Sequence, residues 1–506
     1  MTVRRASTHA VAPAHPAKPA RSKAAPAAAA APRAGGWSPK AGGAKRAAPV
    51  EVRDDSVGTS QISRALEAAA KTRLGWLKDF SKAQRPSTVL PEDLSLHVKT
   101  FHMAVTGGDV TGGGLVPHMA RIGKAEGFGL VVRTIPEFKA QLEKEYRAAG
   151  LDNVEVVTMQ TPNFEGGDFW TEDQGDLDAK GDVAVPALLR KGKQPPSFTG
   201  QAEAINGRVS RGWKDPQAVP VVGAVGMRDS QESLAALAVA AGRKLRVNLS
   251  HVEGGNQLTG TLPSGERYAL VGKDSMVVTG ALLSRELGRR ATLDDVRRAI
   301  AADLGVSPQH VFDIEQPGDF HLDMAMSLMK PGQVLLNDAQ AAFTAQSKWL
   351  EDDQAKKKPE QRPSESPDKF KQRLGEWTED GKVLVEQLKG LKKATAVKAG
   401  LEKLAERDLK AAGLQVVRVP GVFLEPRLPT KQVMNFLNGE GGIGASGKSF
   451  FITQGGDPRA QAQFKQALDA SVGVGHVHFL DRTLSALTLG DLGGISCRAR
   501  AEGTVA

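Results

Sequence analysis

The chain has 506 residues, a single cysteine and a formal net charge of +10. One cysteine excludes an intramolecular disulfide framework and a multi-cysteine zinc site, and it fits a reducing compartment. No run of about eighteen apolar residues occurs, so the sequence offers no candidate for a membrane-spanning helix, and we expect no membrane partner.

The positive charge is concentrated at the amino end. Residues 1–50 contain nine lysines and arginines and no acidic residue, which leaves the rest of the chain close to neutral. Residues 1–56, rich in alanine and proline, carry too few large apolar side chains to form a core and are predicted to be a disordered basic tail. An export signal or a polyanion-binding arm is the functional alternative to a solvated tail, which is the preferred interpretation.

The composition of this tail affects which partners and which cellular location we expect for the protein. We expect no nucleic-acid partner beyond weak contacts of the tail. Arg4 and Arg5 are followed by alanine and proline and not by an apolar stretch, so no signal-peptide pattern is present. The expected location is the cytoplasm, or outside the cell by export without a signal peptide.

The remaining elements follow in chain order. An amphipathic helix is predicted over 59–84, within a helical lead-in at 57–96. From 97 to 506, short apolar strands alternate with helices, which is typical of an α/β domain. Strands are predicted at 129–134, 154–159, 219–225, 245–249, 276–280, 332–336, 448–453 and 475–480, and helices at 135–150, 230–242, 281–303 and 457–470. About five strand–helix–strand units are present, and their closure into a ring would explain one large domain.

One segment interrupts this alternation. Residues 349–395 are strongly charged, punctuated by proline in their first half and helical in their second. We interpret them as a charged helical insertion on the surface, either an arm or lid over a site or a solvated hairpin without function. The solvated hairpin is the preferred interpretation.

Residues capable of chemistry occur where strands meet loops. Alone, each such polar residue is usually a turn or cap group, and a lone histidine is more often a satisfied core residue than a catalyst. Their recurrence in successive units is harder to explain in that way. The candidates are Trp170 and Asp173 in FWTEDQGDL, Glu253 and Asn256 in HVEGGNQLTG, His321 and Asp323 in GDFHLDMAMSLMKPG, and Cys497 in LGGISC. The spacing of His321 and Asp323 would place both side chains on one face of a strand.

These residue types fit chemistry on a guanidinium group. A guanidinium is a planar cation with a fixed fork of N–H donors, and a carboxylate accepts two of them side by side. Carboxylates on opposite edges would hold the plane and leave the central carbon open to attack. A thiolate is a suitable nucleophile, a bound cation lowers the thiol pKa, and histidine can protonate the departing nitrogen near neutral pH.

The motifs also carry a family resemblance. W-x-x-D, E-G-G-N, H-x-D and G-G-I-x-C occur in this order, and together they resemble the guanidino-group-modifying (pentein) superfamily, which includes agmatine, arginine and protein-arginine deiminases. The resemblance covers roughly residues 97–500 and implies a five-bladed α/β propeller. It implies the following roles: Cys497 as nucleophile, His321 as general acid and base, Asp173 and Asp323 as guanidinium-holding carboxylates, Glu253 as support for the histidine, Trp170 as pocket wall, and Asn256 as a substrate-binding or supporting residue.

Within this resemblance several functions stay open. The favoured function is hydrolysis of an arginine-type guanidinium to a ureido group with release of ammonia. Protein-bound arginine is the favoured substrate. Agmatine, free arginine and amidino transfer to an amine are alternatives within the family. A non-catalytic arginine-binding module is the alternative from another class, although a binder would not need the thiol. The sequence leaves the oligomeric state open.

An acidic run at 173–182 resembles a calcium loop in part. Asp176, Asp178 and Asp182 offer oxygen ligands, but Lys180 stands where a ligand is needed and Ala187 where a bidentate glutamate is needed. We therefore expect no calcium requirement, and we expect no other cofactor or metal.

Overall fold

The computed structural model describes residues 59–105, 114–158, 171–187, 227–317, 321–423, 434–490 and 494–505. The predicted tail at 1–56, the predicted strand at 219–225 and Trp170 lie outside the described residues. None of the described helices is both long and apolar enough to cross a membrane.

Helices and strands alternate along the described chain. The helices are α1 Thr59–Trp76, α2 Leu115–Glu126, α3 Pro136–Ala148, α4 Met227–Ala240, α5 Lys273–Leu287, α6 Leu293–Leu304, α7 Ala339–Lys356, α8 Pro367–Ala411, α9 Pro458–Ser471, α10 Arg482–Gly490 and α11 Ile495–Arg498. The strands are β1 Leu96–Ala104, β2 Gly129–Thr134, β3 Val154–Thr158, β4 Asp176–Leu177, β5 Val183–Val185, β6 Leu245–Val247, β7 Gln257–Thr261, β8 Arg267–Gly272, β9 Val311–Ile314, β10 Met326–Leu328, β11 Gln333–Asp338, β12 Gln415–Pro420, β13 Glu440–Ile443, β14 Ser449–Thr453, β15 His476–Phe479 and β16 Ala499–Val505.

Most predicted elements form close to their predicted bounds, but three differ. The single helix expected at 281–303 is wrong, because α5 ends at Leu287 and α6 begins at Leu293. The strand expected at 276–280 is wrong, because MVVTG lies inside α5 with all five residues buried. Met276 and Leu283 of α5 pack with Val271 of β8 in one cluster. In a short run that is apolar throughout, the spacing of apolar residues does not distinguish a strand from a helix. The helix expected to reach residue 84 ends at Trp76, and a 3-10 turn capped by Asp79 follows it.

The strands pair by one repeated rule. In three separate sheets the first strand is antiparallel to the second and the second is parallel to the third: β4–β5–β6 (unit 2), β7–β8–β9 (unit 3) and β10–β11–β12 (unit 4). A seven-stranded sheet repeats the rule twice, in β16–β1–β2 (unit 1, extended by β3) and in β13–β14–β15 (unit 5), joined by the parallel pair β1–β13. The described residues thus form a mixed α/β fold with five units of like pairing.

The segment before β1 ties three of these units together. Its backbone amides donate in turn to carbonyl oxygens on β4, on β7 and just after β10: Leu90 N to Leu177 O at 3.1 Å, Glu92 N to Thr259 O at 2.8 Å and Leu94 N to Met329 O at 2.9 Å. One extended segment can reach three strands only if they lie beside one another. The first strands of units 2, 3 and 4 therefore lie side by side along this segment, which continues into β1 of unit 1.

The charged segment at 349–395 belongs to the crossover of unit 4. The parallel strands β11 and β12 are connected by α7 and α8, which form a hairpin that begins before residue 349 and ends after residue 395. Trp377 Nε1 donates to the carbonyl oxygen of Gln354 at 2.8 Å and links the two helices. The buried residues of α8 lie in its carboxyl-terminal half: Leu391, Thr395, Glu402, Ala405 and Leu409. That half packs on the unit, whereas the earlier turns of α8 are largely exposed.

Candidate active site

The candidate catalytic side chains lie in the turns that lead into the first strands of four units, the turn of Cys497 being the short helix α11. Asp173 precedes β4, Glu253 precedes β7, His321 and Asp323 precede β10, and Cys497 precedes β16. Three of these first strands lie side by side, so the turns before them can meet at one end of the units. The contacts described below join all four turns.

His321 and Asp323 do not lie on a strand, contrary to the expectation from their spacing. Residues 321–325 form bends and turns, and β10 begins only at Met326. The carbonyl oxygen of Leu322 accepts hydrogen bonds from the amides of Ala325 and Met326, at 2.9 and 3.0 Å, and closes the turn. Turn geometry, not strand alternation, therefore directs both side chains into the site.

The imidazole of His321 is held between two carboxylates. Its Nε2 lies 2.6 Å from Oε2 of Glu253, and its Nδ1 lies 3.9 Å from Oδ1 of Asp173. Burial alone would lower the pKa of His321, but the charges of Asp173, Glu253 and Asp323 and the hydrogen bond to Glu253 outweigh it and raise the pKa to about 10. The ring is therefore protonated near neutral pH and can act as an acid.

Gly255 makes this arrangement possible. A Cβ atom at this position would lie 2.5 Å from Nδ1 of His321 and 2.8 Å from Oδ1 of Asp323, too close for any side chain. Its amide donates to Oδ1 of Asp173 at 3.4 Å, and its carbonyl oxygen accepts the amide of Asp323 at 3.0 Å. The glycine of the EGG motif thus joins the turns of units 2, 3 and 4.

The thiol of Cys497 belongs to a buried polar network. It donates to Oδ2 of Asp323 at 3.3 Å, and the same oxygen accepts hydrogen bonds from Ser496 Oγ and Asn438 Nδ2, both at 2.6 Å. The Nδ2 atom of Asn438 also lies 3.3 Å from the sulfur. These contacts fix the position of the sulfur against one carboxylate oxygen.

The surroundings of this thiol favour its neutral form. Burial, followed by the charges of Asp323, Glu172 and Asp173, raises the pKa of Cys497 well above its ordinary value, and the hydrogen bond from Asn438 opposes the rise. A cation bound among the carboxylates would offset their charges and lower the thiol pKa. A cation bound there would therefore favour formation of the thiolate.

Glu172 belongs to the site although sequence reasoning did not select it. One side-chain oxygen of Glu172, one of Asp323 and the sulfur of Cys497 all lie within 4.8 Å of one another. Burial, followed by the charge of Asp323, raises the pKa of Glu172 well above its ordinary value. The WTED motif offers two adjacent carboxylates, and the family resemblance implies a role only for the second, Asp173.

Asn438 and Ser496 were also missed. Asn438 lies in FLNGEGG, just before β13 of unit 5, where Asn-Gly is typical of a plain turn. A polar residue followed by glycine ahead of a first strand also occurs at Glu253, and this repeat is the signal that could have found Asn438. Gly494 lets Asn438 approach, because a Cβ at 494 would lie 2.2 Å from Oδ1 of Asn438.

Two buried carboxylate oxygens face this site without a donor. Oδ1 of Asp323 and Oε2 of Glu172 accept no hydrogen bond from any residue that the structure describes. Buried polar atoms are paired as a rule, and each unpaired one costs roughly 1–3 kcal/mol. Burial also raises the pKa of the neighbouring Asp173 to about 7, against the charge of His321. These unpaired oxygens and negative charges would suit a ligand that is rich in donors and positively charged.

Asn256 makes its contacts on the side of α5. Its Nδ2 donates to Asp274 Oδ1 and to Ser275 Oγ, the latter at 2.7 Å. These contacts anchor the turn before β7 to the first turn of α5. Contacts of this kind are typical of a supporting residue, and the role of Asn256 stays a prediction.

The acidic run at 173–182 is engaged by protein cations. Oδ1 of Asp176 lies 2.6 Å from Nη2 of Arg500, and Oδ2 of Asp178 lies 3.7 Å from Nη2 of Arg85. Both carboxylates are buried with their arginines. The absence of a calcium requirement stays a prediction.

Comparisons with known proteins give distant structural likeness only. No protein-family model and no curated protein matches the chain. A solved structure of a candidate agmatine deiminase is similar with a TM-score of 0.46 and 13% identity, covering 82% of this chain and 96% of that one. The agmatine deiminase of Enterococcus faecalis is similar with a TM-score of 0.45 and 13% identity, covering 84% of this chain and 100% of that one.

Proposed function

We propose that the protein is a cysteine-dependent hydrolase that converts an arginine-type guanidinium to a ureido group and releases ammonia. One observation carries the proposal. A buried thiol and a protonated histidine share a site with two buried carboxylate oxygens, on Asp323 and Glu172, that have no donor among the described residues. A guanidinium supplies five N–H donors and one positive charge, which is what such a site lacks.

Binding places the guanidinium between the carboxylates. Asp323 offers Oδ1 on one side, and Glu172 and Asp173, neighbours in the turn before β4, offer further oxygens. Because Oδ2 of Asp323 already fixes the sulfur of Cys497, the same carboxylate positions both nucleophile and substrate. The bound cation lowers the thiol pKa, and the thiol proton is lost to solvent.

In the first half-reaction the thiolate attacks the central carbon and a C–S bond forms. His321 gives its proton to one terminal nitrogen, the C–N bond breaks, and ammonia leaves. The product on the enzyme is a covalent thiouronium at Cys497. Glu253, 2.6 Å from Nε2 of His321, holds the ring in place and stabilises its charged form before the transfer.

In the second half-reaction water replaces the sulfur. His321, now neutral, takes a proton from water as the oxygen bonds to the carbon. The C–S bond then breaks, and the ureido product and the thiol of Cys497 are released. An amine in place of water would give amidino transfer instead, so the identity of the acceptor separates hydrolase from transferase.

We further propose that the five units close into a five-bladed α/β propeller. The repeated pairing rule supports this proposal, as do the β1–β13 pair between units 1 and 5 and the hydrogen bonds of residues 90–94 to units 2, 3 and 4. In such a ring the turns before the first strands face one another. Each unit would then contribute to the site, including unit 5 through Asn438.

Protein-bound arginine is the first substrate we propose, because the basic tail and the long charged hairpin are additions that a small metabolite would not require. Agmatine and free arginine are the alternatives. A non-catalytic arginine-binding module would leave the thiol and the histidine without a role.

Ureido-group colorimetry together with an ammonia assay tests the proposal. An arginine-containing peptide, agmatine and free arginine are compared with wild type and Cys497→Ala. We expect equal amounts of ureido product and ammonia from at least one substrate, and none from Cys497→Ala. If wild type binds all three compounds tightly but forms no product, the result would instead support the binding module. If a guanidino substrate is consumed in the presence of amines without release of ammonia, the result would contradict hydrolysis.

A further inference from the structure

A second cluster of ligating side chains lies between units 1 and 5, on elements that do not carry the catalytic turns. Glu126 is the last residue of α2, which connects β1 to β2 in unit 1. His476 and His478 lie on β15 of unit 5, two residues apart, so their side chains project from the same face of the strand. The cluster thus spans two units whose described strands pair through β1 and β13.

The imidazoles of His476 and His478 both approach one carboxylate oxygen of Glu126. Nδ1 of His476 lies 2.8 Å from Oε1 of Glu126, and Nε2 of His478 lies 2.7 Å from the same atom. All three ligand atoms lie within 4.8 Å of one another. Two imidazole nitrogens and a carboxylate oxygen are ligands that zinc and related transition metals accept in proteins.

The carboxylate is enclosed while the histidines face solvent. Glu126 is 2% exposed, and the side chains of His476 and His478 are 44% and 25% exposed. The β13–β14 turn covers the carboxylate, since a Cβ at Gly444 would lie 3.0 Å from its Oε2 and the amide of Ala445 donates to the Glu126 carbonyl oxygen at 2.7 Å. Within the described part of the chain, no lysine or arginine nitrogen lies within 4.0 Å of this carboxylate. A buried carboxylate without a fixed cation is costly unless a positive charge joins it.

Contrary to the expectation of no metal from the sequence, we propose that Glu126, His476 and His478 form a binding site for one divalent transition-metal ion of the zinc class. Ligand distances of about 2.0–2.1 Å place tetrahedral ligand atoms about 3.3 Å apart. The hydrogen-bonded atoms need to separate only slightly to admit the ion. Each neutral ring keeps its proton on the nitrogen that does not bind the metal, and water takes the fourth position.

The expected consequence of binding is structural. The ion would link the end of α2 to β15 and so fasten unit 1 to unit 5. Ligands that bind only the folded state raise its apparent stability by mass action. The site requires neither Cys497 nor His321 and is independent of the proposed hydrolase activity.

Cobalt and zinc titrations test this site in the full-length Cys497→Ala protein, because the thiol cluster at the active site could itself bind these metals. We expect one equivalent of Co²⁺ with the visible bands of a tetrahedral site, and a thermal midpoint raised by several degrees with Zn²⁺ but not with Mg²⁺. His476→Gln/His478→Gln should lose both effects. His310→Gln, which alters a partly buried histidine elsewhere, should keep both.

A second variant guards against loss of folding in the double variant. Glu126→Gln keeps an oxygen that can accept the imidazole hydrogen bonds but removes the anionic ligand, so we expect Zn²⁺ affinity to fall at least tenfold with folding retained. No cobalt bands in the parent protein would overturn the proposal. The proposal would also be overturned if Zn²⁺ raised the thermal midpoint of Glu126→Gln and of the folded double variant as much as it raises that of the parent protein.

Discussion

Cys497 Sγ lies 3.3 Å from Oδ2 of Asp323, and the other oxygen of that carboxylate, Oδ1, is buried without a donor among the described residues. The two oxygens of one side chain therefore have different tasks in the proposed mechanism. Oδ2 holds the sulfur, and Oδ1 awaits a donor from the substrate. This arrangement fixes the distance between nucleophile and bound guanidinium, which is the positioning that enzymes use to lower a barrier.

Replacing this carboxylate should disable the site. Asp323→Asn turns one of the two oxygens into an N–H donor, so either the sulfur contact or the substrate contact is lost, along with the charge. We expect kcat/KM to fall at least about a hundredfold, or roughly 3 kcal/mol, while the thermal midpoint shows that the protein is folded. Asp294→Asn, at a carboxylate whose side chain is 72% exposed, is the matched control. Near-wild-type kinetics in Asp323→Asn would remove this residue from the mechanism.

The pH dependence of kcat/KM should report Asp173 and His321 of the free enzyme, in addition to the thiol of Cys497, whose ionisation the bound cation promotes. Asp173 has a pKa of about 7 and must be ionised to hold a cation, so kcat/KM should rise through pH 7. His321 has a pKa of about 10 and must be protonated to release ammonia, so kcat/KM should fall through pH 10. In Asp173→Asn the limb near pH 7 should disappear from the residual activity. A limb that persists there unchanged would show that another group is responsible.

The same shift of His321 has a consequence for stability. Its pKa in the folded protein lies above the ordinary value of 6.5, so the folded state binds the proton more tightly than the unfolded chain does. The resulting stabilisation is complete below about pH 6.5 and is lost as the pH rises toward 10. Denaturant unfolding of wild type and His321→Gln should therefore diverge most at the lower pH. A difference between the two proteins that grows from pH 7 to pH 10 would contradict the assigned charge.

Asn438 should act through the thiol. Its Nδ2 donates to Asp323 and lies 3.3 Å from the sulfur of Cys497, and this hydrogen bond opposes the rise in thiol pKa. Asn438→Ala should lower kcat more than it raises KM and should move the pH profile of iodoacetamide alkylation to higher pH. Asn153→Ala, which removes a partly buried amide bonded to backbone carbonyls at 2.9 and 3.2 Å, should leave that profile in place. An unmoved alkylation profile in Asn438→Ala would limit Asn438 to a packing role.

The sequence predicted the alternation of strands and helices because local signals mark it. β2 occupies residues 129–134 as expected. It begins at a glycine, ends just before the residue that precedes a proline, and is made largely of residues suited to a sheet. The error at 276–280 arose because a helix buried on all sides carries no amphipathic signal. The pairing rule that defines five units could not be foreseen from any one segment, since it depends on contacts between distant strands.

The candidate site was predictable to the extent that its chemistry depends on scarce residue types. Cys497 is the only thiol, and His321 stands beside a carboxylate in a short motif. Asn438 was not predictable in that way, because its role arises from contacts with Asp323 and Cys497, 115 and 59 residues away along the chain. Glu172 was hidden by its neighbour, since adjacent carboxylates differ in role only once the fold has directed each side chain.

The nucleophilic role of Cys497 is tested most directly by rapid acid quenching during turnover, followed by intact-protein and peptide mass spectrometry. Because the chain has one cysteine, an adduct can be assigned without ambiguity. We predict a thiouronium adduct on the peptide containing Cys497 that forms before ureido product and decays as substrate is consumed. It should be absent in Cys497→Ser, which should still bind substrate, because a serine hydroxyl is far less acidic than a thiol. A serine variant that releases ammonia at the wild-type rate, with no adduct in the wild type, would contradict the account.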